Sequence, residues 1–183
     1  MPPQPRTSTV YIGIDNGSCG GIAILLGNQL RTIKMPESEK DLLGTFAFEK
    51  ARFERQLIPV VATIEQQIPR PTVFFNPRLG QTQSSILKST CILYAQYMQT
   101  RIALLATGIP FQAVVPETWQ TEIGLPHKKQ TRSDNAWKNV LKQKAQQLFP
   151  EHKVTLWNAD AILLAEYCRR IHSPSIRRTK AIR

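Results

Sequence analysis

Three short apolar runs near the N-terminus, separated by turns too short to contain a helix, place the strongest constraint on the fold. Residues 10–15, 22–26 and 30–35 are rich in branched apolar side chains. The intervening segments 16–21 and 27–28 consist largely of glycine and asparagine, which favour tight turns. The pattern therefore predicts an antiparallel meander of three strands.

The rest of the chain alternates between helical and strand-like patterns. In chain order we predict a helix over 38–56, a strand over 58–65, a loop over 69–82, a helix over 84–106, a strand over 111–115, and helices over 116–124, 134–148 and 158–170. This order predicts an α/β fold in which a mixed five-stranded sheet is flanked by helices.

The long helix carries apolar side chains at steps of three and four residues, which is typical of an amphipathic helix. We expect this stripe to face the core: Leu87, Cys91, Tyr94, Met98, Ile102 and Leu105.

Length and composition favour one intracellular, soluble domain. The chain has 183 residues, of which 42% are hydrophobic, enough for one buried core. We predict an extended lead-in over 1–9, a domain over 10–172 and a basic tail over 173–183. No apolar run approaches the roughly 18 residues that cross a bilayer. Three cysteines without paired spacing give no disulfide framework.

Charge is concentrated in the last third of the sequence. Residues 1–126 carry 11 basic and 9 acidic side chains, a net charge of +2, whereas residues 127–183 carry 13 and 4, a net charge of +9. Lysine and arginine gain free energy by displacing counterions from phosphates. The distribution therefore favours a nucleic acid partner over an anionic membrane surface.

Two predicted strands each end at a carboxylate. Because side chains alternate along a strand, Asp15 and Glu65 lie on the face opposite the uniformly branched residues of their strands. Asp160 lies on the face of the last helix that must pack on the sheet. Converging carboxylates favour a hard divalent cation, and two such ions about 4 Å apart can promote phosphodiester hydrolysis. The alternative is structural, because such acids also cap turns or start helices.

Four blocks of sequence together resemble the RuvC family of Holliday junction resolvases, in particular its bacteriophage-type group. They are IGIDNGSCGGIA at 12–23, IEQ at 64–66, VPETW at 115–119 and ADAILLAEY at 159–167. The resemblance spans about residues 10 to 170. It implies an RNase H-like fold, a homodimer, Mg²⁺ or Mn²⁺ as cofactor with two ions in each active site, and paired nicking of four-way DNA junctions in recombination and repair.

The same resemblance implies which residues form the site. Asp15, Glu65 and Asp160 match the metal-binding, catalytic acids of the family. The family usually has a further acid or histidine three to five residues before the last of these, where this chain has residues 155–157, TLW. Asn158 is expected to offer a weak carbonyl ligand. Asn16 replaces a proline that is frequent in the family, and we expect little effect from it.

Candidate DNA contacts come from three segments. Aromatic side chains between arginines can stack on opened bases, and lysines or histidines can bind phosphates. The candidates are Arg70, Phe74, Phe75, Arg78, Lys88, His127, Lys128, Lys129, Arg132 and Lys138. Trp119 is expected to be a core anchor of its short helix.

Three alternatives stay open at this point. Residues 13–18 also resemble the phosphate-binding opening of sugar kinases and actin-like proteins, although 183 residues do not hold the two domains that those enzymes need. A second alternative is an RNase H-like nuclease that cuts other branched DNA or RNA–DNA hybrids. The third is a junction-binding protein with impaired cleavage, since the fourth ligand is missing.

Overall fold

A computed structural model describes residues 8–17, 19–67, 83–127 and 133–173 of the chain. Within this part the strands are β1 (Val10–Asp15), β2 (Gly21–Leu26), β3 (Gln29–Lys34), β4 (Val60–Glu65) and β5 (Phe111–Val114). The helices are α1 (Glu39–Glu54), α2 (Gln83–Ala106), α3 (Pro116–Ile123), α4 (Asp134–Leu148) and α5 (Ala159–His172). The predicted helices and strands are confirmed, with ends that move by one or two residues. The predicted loop over 69–82 lies outside the described residues, as do most of the lead-in over 1–9 and of the tail over 173–183.

The five strands form one mixed sheet in the order β3-β2-β1-β4-β5. The first three strands are antiparallel neighbours, as the short turns predict. β4 and β5 run parallel to β1, because a helix crosses over before each of them. This order and these directions are those of the RNase H-like fold, so the predicted fold class is confirmed.

Each face of the sheet builds its own core. Val10, Ile12 and Ile14 pack with α1 and α2 on one face. Tyr11 of β1 belongs to the core on the other face, which is formed with α3, α4 and α5. The predicted alternation in β1 and β4 is thereby confirmed, and the carboxylates that end these strands lie on the α5 side.

Helix α5 lies directly on β1 because Gly13 has no side chain. A Cβ atom at Gly13 would lie 2.1 Å from the backbone nitrogen of Ala165 and 2.2 Å from the carbonyl oxygen of Ala161. Nearly every residue from Ala159 to Cys168 is buried. This close approach brings the first turn of α5 to the edge of the sheet where β1 ends.

The predicted buried stripe of α2 is wrong. Tyr97, Thr100 and Leu104 are buried instead, whereas the stripe residues Cys91, Tyr94, Ile102 and Leu105 are exposed, Met98 is half-buried, and the side chain of Leu87 lies outside the described part. The sequence misleads because α2 is apolar on both sides. A helix of 24 residues is also about 36 Å long, so it extends past strands of about 20 Å.

Helix α2 is long, yet within the described ranges no helix combines the length and the apolar character that crossing a membrane requires.

Candidate active site

Three acidic side chains lie near one edge of the sheet. β1 and β4 are adjacent and parallel, with Ile14 opposite Ile64, so Asp15 and Glu65 leave the sheet at the same edge. Asp160 follows from the first turn of α5. The charges of Asp15 and Asp160 both raise the pKa of Glu65. The three carboxylates, which come from three separate elements, therefore form one electrostatic unit.

Asp15 is held by the turn that follows it. The backbone N–H of Gly17 donates to Asp15 Oδ1 at 3.2 Å. A Cβ atom at Gly20 would lie 2.7 Å from Asp15 Oδ2, so glycine is needed for the turn to fold over the carboxylate. Burial raises the pKa of Asp15, while the Gly17 N–H and the charge of Lys138 lower it. The carboxylate is thus partly neutralised by a lysine of α4.

The pKa of Glu65 is strongly perturbed. Burial, followed by the charges of Asp15 and Asp160, raises its pKa from 4.5 to about 8. Hydrogen bonds from the side chains of Trp119 and Gln67 act in the opposite direction. Burial and the neighbouring charges therefore destabilise the ionised form of the Glu65 carboxyl group. Such a shift is common for acids in functional sites.

Asn158, which the sequence predicts to be a weak ligand, has its side-chain amide engaged in local hydrogen bonds. Its Oδ1 accepts hydrogen bonds from the backbone N–H and the hydroxyl of Thr155, at 2.7 and 3.1 Å. Its Nδ2 donates to the carbonyl of Lys153 at 3.2 Å, and the residue is buried. Its amide holds the turn before α5, so we leave it out of the proposed ligand set.

His152 and Glu166, a histidine and an acid on either side of residues 155–158, are engaged elsewhere. His152 Nε2 lies 3.2 Å from Thr32 Oγ1, on β3. Glu166 is buried and ion-paired with Arg169 and Arg170. The ring of Trp157 fills the space beside Gly21, where a Cβ atom would lie 2.8 Å from the ring. Trp157 therefore packs against the sheet and offers no ligand to the site.

An open cavity of about 590 Å³ adjoins the acids. Among the side chains that line it are Glu65, Asp160, Trp119, His127, Asp134 and Lys138. Asp134 is a site residue that the sequence did not reveal, because an acid in the first turn of a helix is ordinarily explained by the helix dipole. The cavity thus combines acids with a lysine and a histidine, as a site for a phosphate bound through cations requires.

The three carboxylates offer the oxygen ligands that a hard cation prefers, although they are not arranged to hold one as they stand. In the described part of the chain, no group of three or more His, Cys, Asp or Glu side chains is arranged to hold a metal ion as it stands. Carboxylate oxygens are nevertheless the ligands that Mg²⁺ and Mn²⁺ take, and the raised pKa of Glu65 shows negative charge that a cation would neutralise. Binding would require the three carboxylates to converge further.

Only three of the predicted DNA contacts lie in the part of the chain that the structure describes. Lys88 is exposed near the start of α2, and His127 and Lys138 line the cavity. The remaining candidates lie outside the described residues: Arg70, Phe74, Phe75, Arg78, Lys128, Lys129 and Arg132. Two of the three candidates that can be placed therefore adjoin the acids.

Comparisons with known proteins add a likeness of fold. No protein-family model matches the sequence, and a search of curated proteins found no relative. One similar solved structure is Thermus thermophilus RuvC in complex with a Holliday junction substrate, at 15% identity and a TM-score of 0.49, covering 90% of this chain and 97% of that one. Another is a structure of Thermus thermophilus RuvC, at 14% identity and a TM-score of 0.46, covering 89% and 96%. Likeness at this level carries no argument about function, which must rest on the residues of this chain.

Proposed function

We propose that this protein is a metal-dependent endonuclease of the bacteriophage-type RuvC-like group, which resolves four-way DNA junctions by paired nicking. The observation that carries the proposal is the electrostatic unit of Asp15, Glu65 and Asp160 at one edge of an RNase H-like sheet. Three half-buried acids, two of which raise the pKa of the third, are costly to the fold. Such a cost is expected where a cation completes the site.

In the proposed reaction the three acids hold Mg²⁺ or Mn²⁺, and the chain supplies the rest of the environment. When bound, the metal ions activate a water molecule and stabilise the leaving oxygen of the phosphodiester. Lys138 faces the same cavity as Glu65 and Asp160, so it is placed to bind a phosphate oxygen next to the acids. The buried side of Asp15 and Glu65 limits the access of bulk water to the carboxylates.

The proposed substrate follows from the position of the positive charge. Residues 127–183 carry a net charge of +9, and this part of the sequence contains both Lys138 and Asp160. The basic third of the chain therefore surrounds the acids instead of forming a remote tail. A polyanion can approach the acidic cluster because lysine and arginine next to it offset the repulsion between phosphates and carboxylates.

A homodimer would supply the two active sites that paired nicking needs. We assign its interface to the outer side of α2, where Cys91, Tyr94, Ile102 and Leu105 are exposed. An apolar face of this kind is self-complementary about a twofold axis, and soluble proteins rarely leave such a face uncovered. The second copy of the chain is therefore the proposed occupant.

Ile102→Glu tests this interface. We expect sedimentation at micromolar concentration to give twice the chain mass for the natural protein and a single chain mass for the variant, because a charge at the contact is costly to bury. Leu156→Glu is the matched control, since Leu156 is similarly exposed and precedes α5, on the opposite side of the sheet. A natural protein of single chain mass, or a dimer that survives Ile102→Glu, would remove this interface.

Nicking of synthetic substrates tests the proposed activity. We would incubate the purified protein with a four-way junction, a Y-shaped fork and an RNA–DNA hybrid, each with Mg²⁺, Mn²⁺ or EDTA. We expect symmetrical nicks in the junction with either metal and none in EDTA. Preferred cleavage of the fork or the hybrid would instead assign another RNase H-like nuclease.

A junction-binding protein without cleavage is the second candidate. It is favoured because residues 155–157 offer no carboxylate or imidazole and Asn158 is engaged with Thr155. Among the described residues, no group of acids is arranged to hold a metal as it stands. Tight binding of the junction with no nick under either metal would support this candidate and overturn the proposed nuclease.

A further inference from the structure

We propose that Trp119 and Asn16 are positioning residues that hold Glu65 in place. Trp119 acts on the carboxylate of Glu65, and Asn16 acts on the main chain of Glu65. The role that we assign to these two residues rests on the proposed function, whereas the contacts themselves do not depend on it. Sequence alone gives Trp119 a packing role and expects little from Asn16.

The contact of Trp119 is a hydrogen bond to the carboxylate of Glu65. Its Nε1–H donates to Glu65 Oε2 at 3.0 Å, and Trp119 is 1% exposed. β5 pairs with β4 so that Val114 stands opposite Glu65, and α3 starts two residues later at Pro116. The helix is therefore anchored beside the carboxylate, and the close packing of the core prevents the indole from turning away.

An indole suits this task because it is a neutral donor with no acceptor. An arginine or lysine at the same place would neutralise the negative charge of Glu65, which a metal cation needs. The indole N–H instead fixes one carboxylate oxygen and leaves the negative charge on Glu65. The hydrogen bond of the indole engages Oε2, and the side chain of Gln67 also donates to the carboxylate.

Asn16 connects the two strand ends that carry the acids. Its Nδ2 donates to the main-chain carbonyl of Glu65 at 2.7 Å, one step past the last paired residues, Ile14 and Ile64. Because Asn16 follows Asp15 directly, this bond fixes the separation of the two main chains at the site. Asn16 is 1% exposed, and its Oδ1 has no hydrogen-bond partner within the described ranges. Such an atom lowers stability, which favours a role of Asn16 in the site.

Trp119→Phe tests the first contact, because phenylalanine keeps an apolar ring and removes the N–H donor. In the metal-free protein we would record the indole N–H resonances of Trp119, Trp137 and Trp157, and identify that of Trp119 by its loss in the variant. We expect Glu65→Ala, which removes the acceptor, to shift the Trp119 resonance and leave the other two in place. This readout needs neither metal, DNA nor activity.

Kinetics then test whether the two contacts position Glu65 for the reaction. We expect Trp119→Phe and Asn16→Leu to lower kcat for junction nicking by about 10- to 100-fold, the usual cost of losing a residue that orients a metal ligand. KM for the junction should change by less than about threefold. Phe46→Leu is the control: Phe46 is fully buried in the core on the other face of the sheet, so it should lower stability without lowering kcat.

The outcomes separate this inference from the proposed function. If the natural protein does not nick junctions, the proposed function fails, and the resonance of Trp119 still decides whether the indole holds Glu65. If the natural protein nicks junctions and both variants keep the kcat of Phe46→Leu, the positioning role is overturned and the proposed function stands. A Trp119 resonance that stays in place in Glu65→Ala overturns the hydrogen bond itself.

Discussion

Asp15→Asn is expected to reduce junction nicking by at least about 1,000-fold with either Mg²⁺ or Mn²⁺, which corresponds to about 4 kcal/mol of transition-state stabilisation. The substitution removes a full negative charge from the electrostatic unit while it keeps the size of the side chain. Because asparagine retains Oδ1, it can still accept the hydrogen bond that Gly17 donates to Asp15. The loss of activity should therefore come from charge and not from unfolding.

Binding measurements distinguish these causes. We expect Asp15→Asn to bind the junction at least as tightly as the natural protein in EDTA, because one carboxylate fewer repels the phosphates. The matched control is Asp41→Asn, since Asp41 is exposed in the first turn of α1, outside the site. Its nicking should remain within about twofold of the natural rate. Normal nicking by Asp15→Asn would show that the acids are not the catalytic centre.

The strands were predictable from the sequence because alternation has a period of two. If the side chains of Val10 and Ile12 lie on one face of the sheet, the side chain of Asp15 must lie on the other. A shift of the strand by one residue would move every side chain to the opposite face. The edge at which Asp15 and Glu65 lie was also predictable, since β4 follows a helix and runs parallel to β1, and parallel strands end at the same edge.

Helix α2 shows where periodicity fails. Both of its sides carry apolar residues, so the stripe with the regular spacing and the stripe that packs on the sheet differ. Residues 91–95 of α2 are exposed and lie outside the core. Sequence patterns do not show which of two apolar faces meets the sheet, because that depends on the length and placement of its neighbours.

The contacts that organise the site were hidden for a related reason. Trp119 and Glu65 are 54 residues apart, and Asn16 and Glu65 are 49 apart. Only the pairing of β4 with β1 and β5 brings these residues together. A buried tryptophan is usually explained by packing, and its single N–H donor becomes informative only when the acceptor is known. The acids could thus be predicted, whereas the residues that hold them could not.

The free energy of unfolding of the metal-free protein should fall as the pH rises from about 4.5 to about 8. In this window the unfolded chain releases the proton of Glu65, whose ordinary pKa is 4.5, while the folded protein retains it because its pKa is about 8. The folded state therefore binds more protons, and stability decreases with increasing pH. The raised pKa of Asp15 acts in the same direction.

Glu65→Gln removes this pH dependence and is expected to raise the free energy of unfolding in EDTA by roughly 2 to 4 kcal/mol at pH 8.5, with no gain at pH 4. Glutamine is neutral at every pH, and its carbonyl oxygen can still accept the hydrogen bond from Trp119. Denaturant titrations at pH 4, 6 and 8.5 would measure the effect, with Glu54→Gln on the exposed end of α1 as the control. Millimolar Mg²⁺ should narrow the difference at pH 8.5, because a cation that binds the three carboxylates stabilises only the natural protein. A constant difference across these pH values would contradict the mutual repulsion of the acids, and with it the argument that the site is built to receive a cation.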